Sequence, residues 1–112
     1  MNLSAEARDG ALVVHLGEAR LDAAIAIQFK DRMREILIQP APRVVLDLSE
    51  VTFLDSSGLG AIVAVMKTLP KGRALELSGL TPNVEKVFHL TRMDSVFTIH
   101  RGVNADALRD AG

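Results

Sequence analysis

Two adjacent hydroxyls followed by two glycines one residue apart, in Asp55-Ser56-Ser57-Gly58-Leu59-Gly60, are the residues best placed to do chemistry in this chain. The apolar run Val44-Val45-Leu46-Asp47-Leu48 leads toward them, and an apolar helical segment opens immediately behind them. Hydroxyls at such a boundary sit where unpaired backbone N–H groups and the positive end of the helix dipole favour negative charge. That suits a serine which accepts and releases a phosphate. Asp55, Ser56 and Ser57 are all strong N-cap types, so one of them bonds a free N–H of the first turn. Gly58 and Gly60 leave the turn bare to an approaching active site. A phosphate here would add about −1.5 to −2 charges beside Asp55 and change the surface that a partner meets. The same segment also reads as a plain cap between strand and helix.

Other chemistries fit less well. A serine hydrolase elbow needs Gly-x-Ser-x-Gly, but Leu54 stands two residues before Ser56 and Asp55 two before Ser57. His15, His89 and His100 are scattered, without the close spacing of a metal site or a general base. The chain has no Gly-x-x-x-x-Gly-Lys-Ser/Thr loop, and Gly58-Leu59-Gly60 is too short for a dinucleotide fingerprint. There is no cysteine, which excludes thiol catalysis, disulfides and cysteine metal sites. The expectation is a non-enzyme with no cofactor and no metal.

The elements that must position the serines follow from pattern. Leu3 to Ala7 alternates, Asp9-Gly10 turns, and Ala11 to Leu16 is β-prone, which predicts a hairpin. Asp22 is a candidate N-cap for a helix from about Ala23 to Ile38, with Ile25, Phe29, Met33, Ile36 and Leu37 on one face. Pro40 and Pro42 stop it, and Arg43 to Leu48 forms a strand whose continuous apolar centre implies cover on both faces. A second helix spans about Ser57 to Leu69, and Ala74 to Leu77 forms a short strand. Thr81-Pro82 starts a third helix with Val84, Val87, Phe88 and Leu90 as its apolar face. Val96 to Ile99 is a last strand and Val103 to Ala111 a terminal helix. The order predicts one α/β domain over residues 1–112, a sandwich with a mixed sheet of four to five strands and about four helices.

At 112 residues and 48% apolar content, the chain supports one core. A formal net charge of −1 gives no footing for nucleic acid or an acidic membrane as partner. The first residues alternate and carry charge, unlike a signal peptide, and no apolar run reaches spanning length, so a cytoplasmic protein is expected.

The second helix is apolar nearly all round. Leu59, Ile62, Val63, Met66 and Leu69 cover one side at core spacing, while Ala61, Ala64, Val65 and Thr68 make a small-residue side. That second side reads either as contact with neighbouring helices or as a docking face beside the serines, for a partner or a weak homodimer.

With these residues in view, the chain resembles the anti-sigma factor antagonists, whose fold is the STAS domain. The resemblance rests on Phe53-Leu54-Asp55-Ser56-Ser57-Gly58-Leu59-Gly60, supported by the hairpin, Gly17…Leu21-Asp22, Val45-Leu46-Asp47-Leu48 and Leu77-Ser78-Gly79-Leu80. It implies a bacterial partner switch in transcription regulation. The unmodified protein binds an anti-sigma factor that is also a serine kinase of the GHKL ATPase type. Phosphorylation of Ser56 then releases it, and a PP2C-type phosphatase restores it. By position, Ser57 is the neighbouring cap, Asp55 orients the turn, and Asp22 lies on the same edge and aids kinase recognition. Gly58, Leu59, Gly60, Ala61, Ala64, Val65 and Thr68 complete the expected partner-binding set. A non-switching STAS adaptor subunit of an ABC-type lipid transport system or other signalling complex is the rival within the same fold, and the retained serine favours the switch.

Overall fold

The computed structural model describes residues 1–101 of the chain. Strands β1 (Leu3–Arg8) and β2 (Ala11–Leu16) form the predicted antiparallel hairpin, closed by Asp9 and Gly10 at positive φ. Strands β4 (Arg43–Asp47), β6 (Ala74–Ser78) and β7 (Thr98–His100) add in parallel, giving a mixed five-stranded sheet in the order β1-β2-β4-β6-β7. The short β3 (Arg20–Leu21) and β5 (Phe53–Leu54) pair with each other as a separate parallel ladder. Three α-helices stand among the described residues: α1 (Ala26–Ile36), α2 (Ser56–Thr68) and α3 (Pro82–Leu90), with a 3-10 turn at Met93–Ser95. The fourth expected helix, Val103 to Ala111, lies outside the described residues.

Strand alternation sorts the sheet into two faces. Leu12, Val14, Val44, Leu46, Leu75 and Leu77 point to the side that shares one core with Phe29 and Met33 of α1, Ile62 of α2, and Val84 and Phe88 of α3. Phe88 meets Phe97 edge to face at 5.8 Å, a favoured aromatic geometry. The other face carries His15, Arg43, Val45, Asp47 and Glu76. Val44, Val45 and Leu46 are all fully buried, as their unbroken apolar run requires.

Polar groups on that second face are paired rather than stranded. Arg43 meets Glu76 through Nε and an Nη at 2.9 Å each, a two-pronged geometry matched to a carboxylate. His100 Nε2 adds a third contact at 2.5 Å, and together these hold the buried Glu76 carboxyl below its ordinary pKa, the Arg43 hydrogen bond contributing most. His15 Nδ1 faces Asp47 at 2.9 Å and its Nε2 faces Glu50, and those carboxylates, Asp47 foremost, raise its pKa.

Helices α1 and α3 differ from the sequence expectation in three details. Helix α1 begins at Ala26, not Ala23, because the Asp22 side chain accepts from Ala24 N–H and closes a turn ahead of the helix. Ile25 occupies the cap position without a side-chain hydrogen bond. Thr81 does sit at the N-cap of α3, but its hydroxyl donates to the Val51 carbonyl instead of capping. Leu90 lies at the exposed end of α3 and takes no part in its apolar face.

Candidate functional site

Two residues of sheet register place the serines. Arg20 pairs with Phe53 and Leu21 with Leu54, so the β3–β5 ladder turns Leu21 and Leu54 inward and leaves Arg20 and Phe53 outward. The ladder is held by Ala19, whose carbonyl accepts from the N–H groups of Thr52 at 2.8 Å and Phe53 at 3.1 Å. Beyond it, Asp55 leaves the strand in extended conformation and becomes the N-cap of α2.

Asp55 makes two contacts with one carboxylate. Its Oδ1 accepts from Gly58 N–H at 2.8 Å, the capping bond of α2, and its Oδ2 accepts from Ala23 N–H at 3.2 Å. The aspartate thus ties the start of α2 to the turn before α1. Asp22 lies in that turn, with Oδ1 on Ala24 N–H and Oδ2 on Arg20 Nε, each at 3.1 Å. The structure therefore brings Asp22, Asp55, Ser56 and Ser57 to one edge of the molecule.

Ser56 and Ser57 are exposed in the first turn of α2. Asp55, not either serine, fills the cap, so among the described residues neither hydroxyl is held by a protein hydrogen bond. Leu59 N–H bonds the Asp55 carbonyl and Gly58 N–H its side chain, which leaves the N–H groups of Ser56 and Ser57 as open donors at this helix start.

The docking face expected on the small side of α2 is corrected by its burial. Gly58, Ala61 and Val65 are buried, and Ala64 is half-buried beside α1 in a cleft of about 200 Å³ with Leu37, Lys30 and Arg34. A Cβ on Gly58 would stand 2.1 Å from the Leu21 carbonyl oxygen, so this glycine serves the contact of helix and ladder. Small residues let α2 approach its neighbours closely, which is the packing alternative that the sequence left open. Thr68 is exposed, with its hydroxyl on the Val65 carbonyl. Leu59, Val63 and Met66, assigned to the core side, are only partly buried. Gly60 is exposed, and a Cβ there would meet nothing.

Arg20 and Phe53, which pattern reading does not single out, stand outward beside this edge. The Arg20 guanidinium lies 4.0 Å from the centroid of the Phe53 ring, and both are open to solvent. A two-residue strand has no periodicity to reveal it. The only sequence signal was the Arg20-Leu21-Asp22 spacing against Phe53-Leu54-Asp55, two short runs that end in the same residue. Among the described residues no three acidic or histidine side chains gather as a metal site, and no helix is long and apolar enough to cross a membrane.

Comparison with known proteins agrees with this fold. An anti-sigma-B factor antagonist of Listeria monocytogenes is 28% identical over 102 residues, covering 88% of this chain and 90% of its own. The crystal structure of an anti-sigma factor antagonist from Mycobacterium paratuberculosis superposes with a TM-score of 0.84 at 28% identity, over 97% of this chain and 92% of that one. The anti-sigma factor antagonist SpoIIAA in its unphosphorylated form shares the fold, with a TM-score of 0.75 at 21% identity over 98% of this chain and 96% of that one. The phosphorylated form of SpoIIAA, a Bacillus cell fate determinant, has a TM-score of 0.71 at 19% identity over 99% of this chain and 100% of that one. The family model for the STAS domain matches residues 2–105, and the chain belongs to that family.

Proposed function

We propose that this protein is an anti-sigma factor antagonist that works as a phosphorylation-controlled partner switch. Unmodified, it binds an anti-sigma factor of the GHKL serine-kinase type. The kinase transfers the γ-phosphoryl group of ATP to the Ser56 hydroxyl, the complex separates, and a PP2C-type phosphatase returns the protein to its binding form. The chain itself is the substrate. Positioning of nucleotide and metal belongs to the kinase.

The observation that carries this reading is the division of labour between Asp55 and Ser56. The aspartate caps α2, so the serine next to it is exposed and free to react without loss of the cap. A phosphate on Ser56 would stand among the carboxylates of Asp55 and Asp22 and would turn this edge strongly negative. Asp22, Asp55, Ser57, Leu59 and Gly60 are the residues we place against the kinase. The related proteins named as anti-sigma antagonists, one of them solved with and without phosphate, support the same assignment. The protein is proposed to act in the cytoplasm, as one STAS domain.

The test is incubation with purified GHKL-type anti-sigma kinases and ATP–Mg²⁺, followed by mapping of the modified residue. One phosphate on Ser56, and loss of the kinase complex on its addition, is the expected result. No modification by any such kinase, or modification away from Ser56, contradicts it.

A further inference from the structure

Arg20 and Phe53 form an outward pair directly upstream of the serines. Phe53 is 39% exposed, although it lies in a strand whose inward residues, Leu21 and Leu54, already supply the packing. The Arg20 side chain is 61% exposed, yet it is held at two points: its guanidinium carbon lies 4.0 Å from the Phe53 ring centroid, and its Nε donates to Asp22 Oδ2. Among the described residues the two terminal NH2 groups of Arg20 meet no acceptor. A guanidinium held by an aromatic ring and by one hydrogen bond, with its remaining donors unpaired, loses little side-chain entropy when it binds a second acid. Aromatic and arginine side chains are also the types that dominate binding energy at protein interfaces.

The pair is continuous with the modification site. Asp55 follows Leu54, and Ser56 stands three residues beyond Phe53, about 10 Å along the chain at the usual strand rise. The Asp22 that braces Arg20 lies one residue before Ala23, whose N–H is held by Asp55.

Resting on the switch reading above, we infer that the Arg20–Phe53 pair anchors the kinase interface, with the Arg20 NH2 groups pairing to a carboxylate of the anti-sigma kinase and the Phe53 ring covered by it. The kinase carboxylate that faces Arg20 would also meet a phosphate on Ser56 with like charge, which adds to release.

The experiment is calorimetric titration of the full chain with the purified anti-sigma kinase that phosphorylates wild-type Ser56. Arg20→Glu should weaken binding by tenfold or more, and Arg20→Gln by less, with both melting within a few degrees of wild type. Replacing the facing kinase carboxylate by lysine should restore binding to Arg20→Glu. Phe53→Leu should weaken binding while leaving its salt dependence unchanged, whereas Arg20→Gln should flatten that dependence. Arg20→Gln serves as the reporter if Arg20→Glu fails to fold. Affinity of the folded Arg20 variants within twofold of wild type overturns the inference and leaves the switch intact. A wild-type chain that no such kinase engages overturns both.

Discussion

The carbonyl oxygen of Leu21 occupies the space in which residue 58 would carry a side chain, 2.1 Å from an ideal Cβ. Helix α2 is seated on the β3–β5 ladder through this contact, and the ladder in turn sets where Ser56 emerges. The two glycines of the motif therefore have separate physical roles. Gly58→Ala should destabilise the protein by about 2–3 kcal/mol, because a backbone oxygen cannot step aside as a flexible side chain would. Gly60→Ala should stabilise it by about 0.5–1 kcal/mol, since the new methyl meets nothing and a helix-interior glycine is entropically costly. Urea denaturation of the two variants measures both signs.

Asp55 carries the cap, so aspartate and serine should respond unequally to truncation. Asp55→Ala removes the bonds to Gly58 N–H and Ala23 N–H and should cost about 1–2 kcal/mol. Ser56→Ala removes neither and should change stability by less than about 0.5 kcal/mol. A Ser56→Ala loss as large as that of Asp55→Ala in denaturant melts would mean that the serine is the cap after all.

The acid limb of stability should contain Glu76. Its folded pKa is lowered, first by the Arg43 hydrogen bond and then by His100, so its contribution is present above the ordinary carboxylate range. That contribution disappears as pH falls through the depressed value. Glu76→Gln should flatten the loss of stability between neutral and acid pH, read as urea midpoints along a pH series. His15 has the opposite sign. Its raised pKa gives stability that is full below the unfolded value near 6.5 and fades as pH rises through the folded one. His15→Gln should remove that fading on the neutral-to-alkaline side.

Much of this architecture was legible in the chain. The Asp9-Gly10 turn, the unbroken Val44–Leu46 run and the Thr81-Pro82 helix start each have one low-energy reading, and the structure follows them. The β3–β5 ladder was not legible, because two residues per strand carry no alternation and their pairing is set by the loop at Ala19. The orientation of α2 was misread for a different reason. An almost wholly apolar helix has no solvent stripe to orient it, and its small residues Gly58, Ala61 and Val65 mark close approach to neighbours, not an open surface. The start of α1 moved because Asp22 closes a turn of its own before the helix begins.

The exposed Ser56 beside its capping aspartate is the centre of the account, and the binding of charge variants reads it directly. In titrations with the anti-sigma kinase that modifies the wild-type protein, Ser56→Ala should bind as wild type does and resist release by ATP. Ser56→Asp should bind at least tenfold more weakly, through like charge beside Asp55 and desolvation at the interface. Ser56→Asp binding as tightly as wild type, or ATP-driven release that persists in Ser56→Ala, would contradict it.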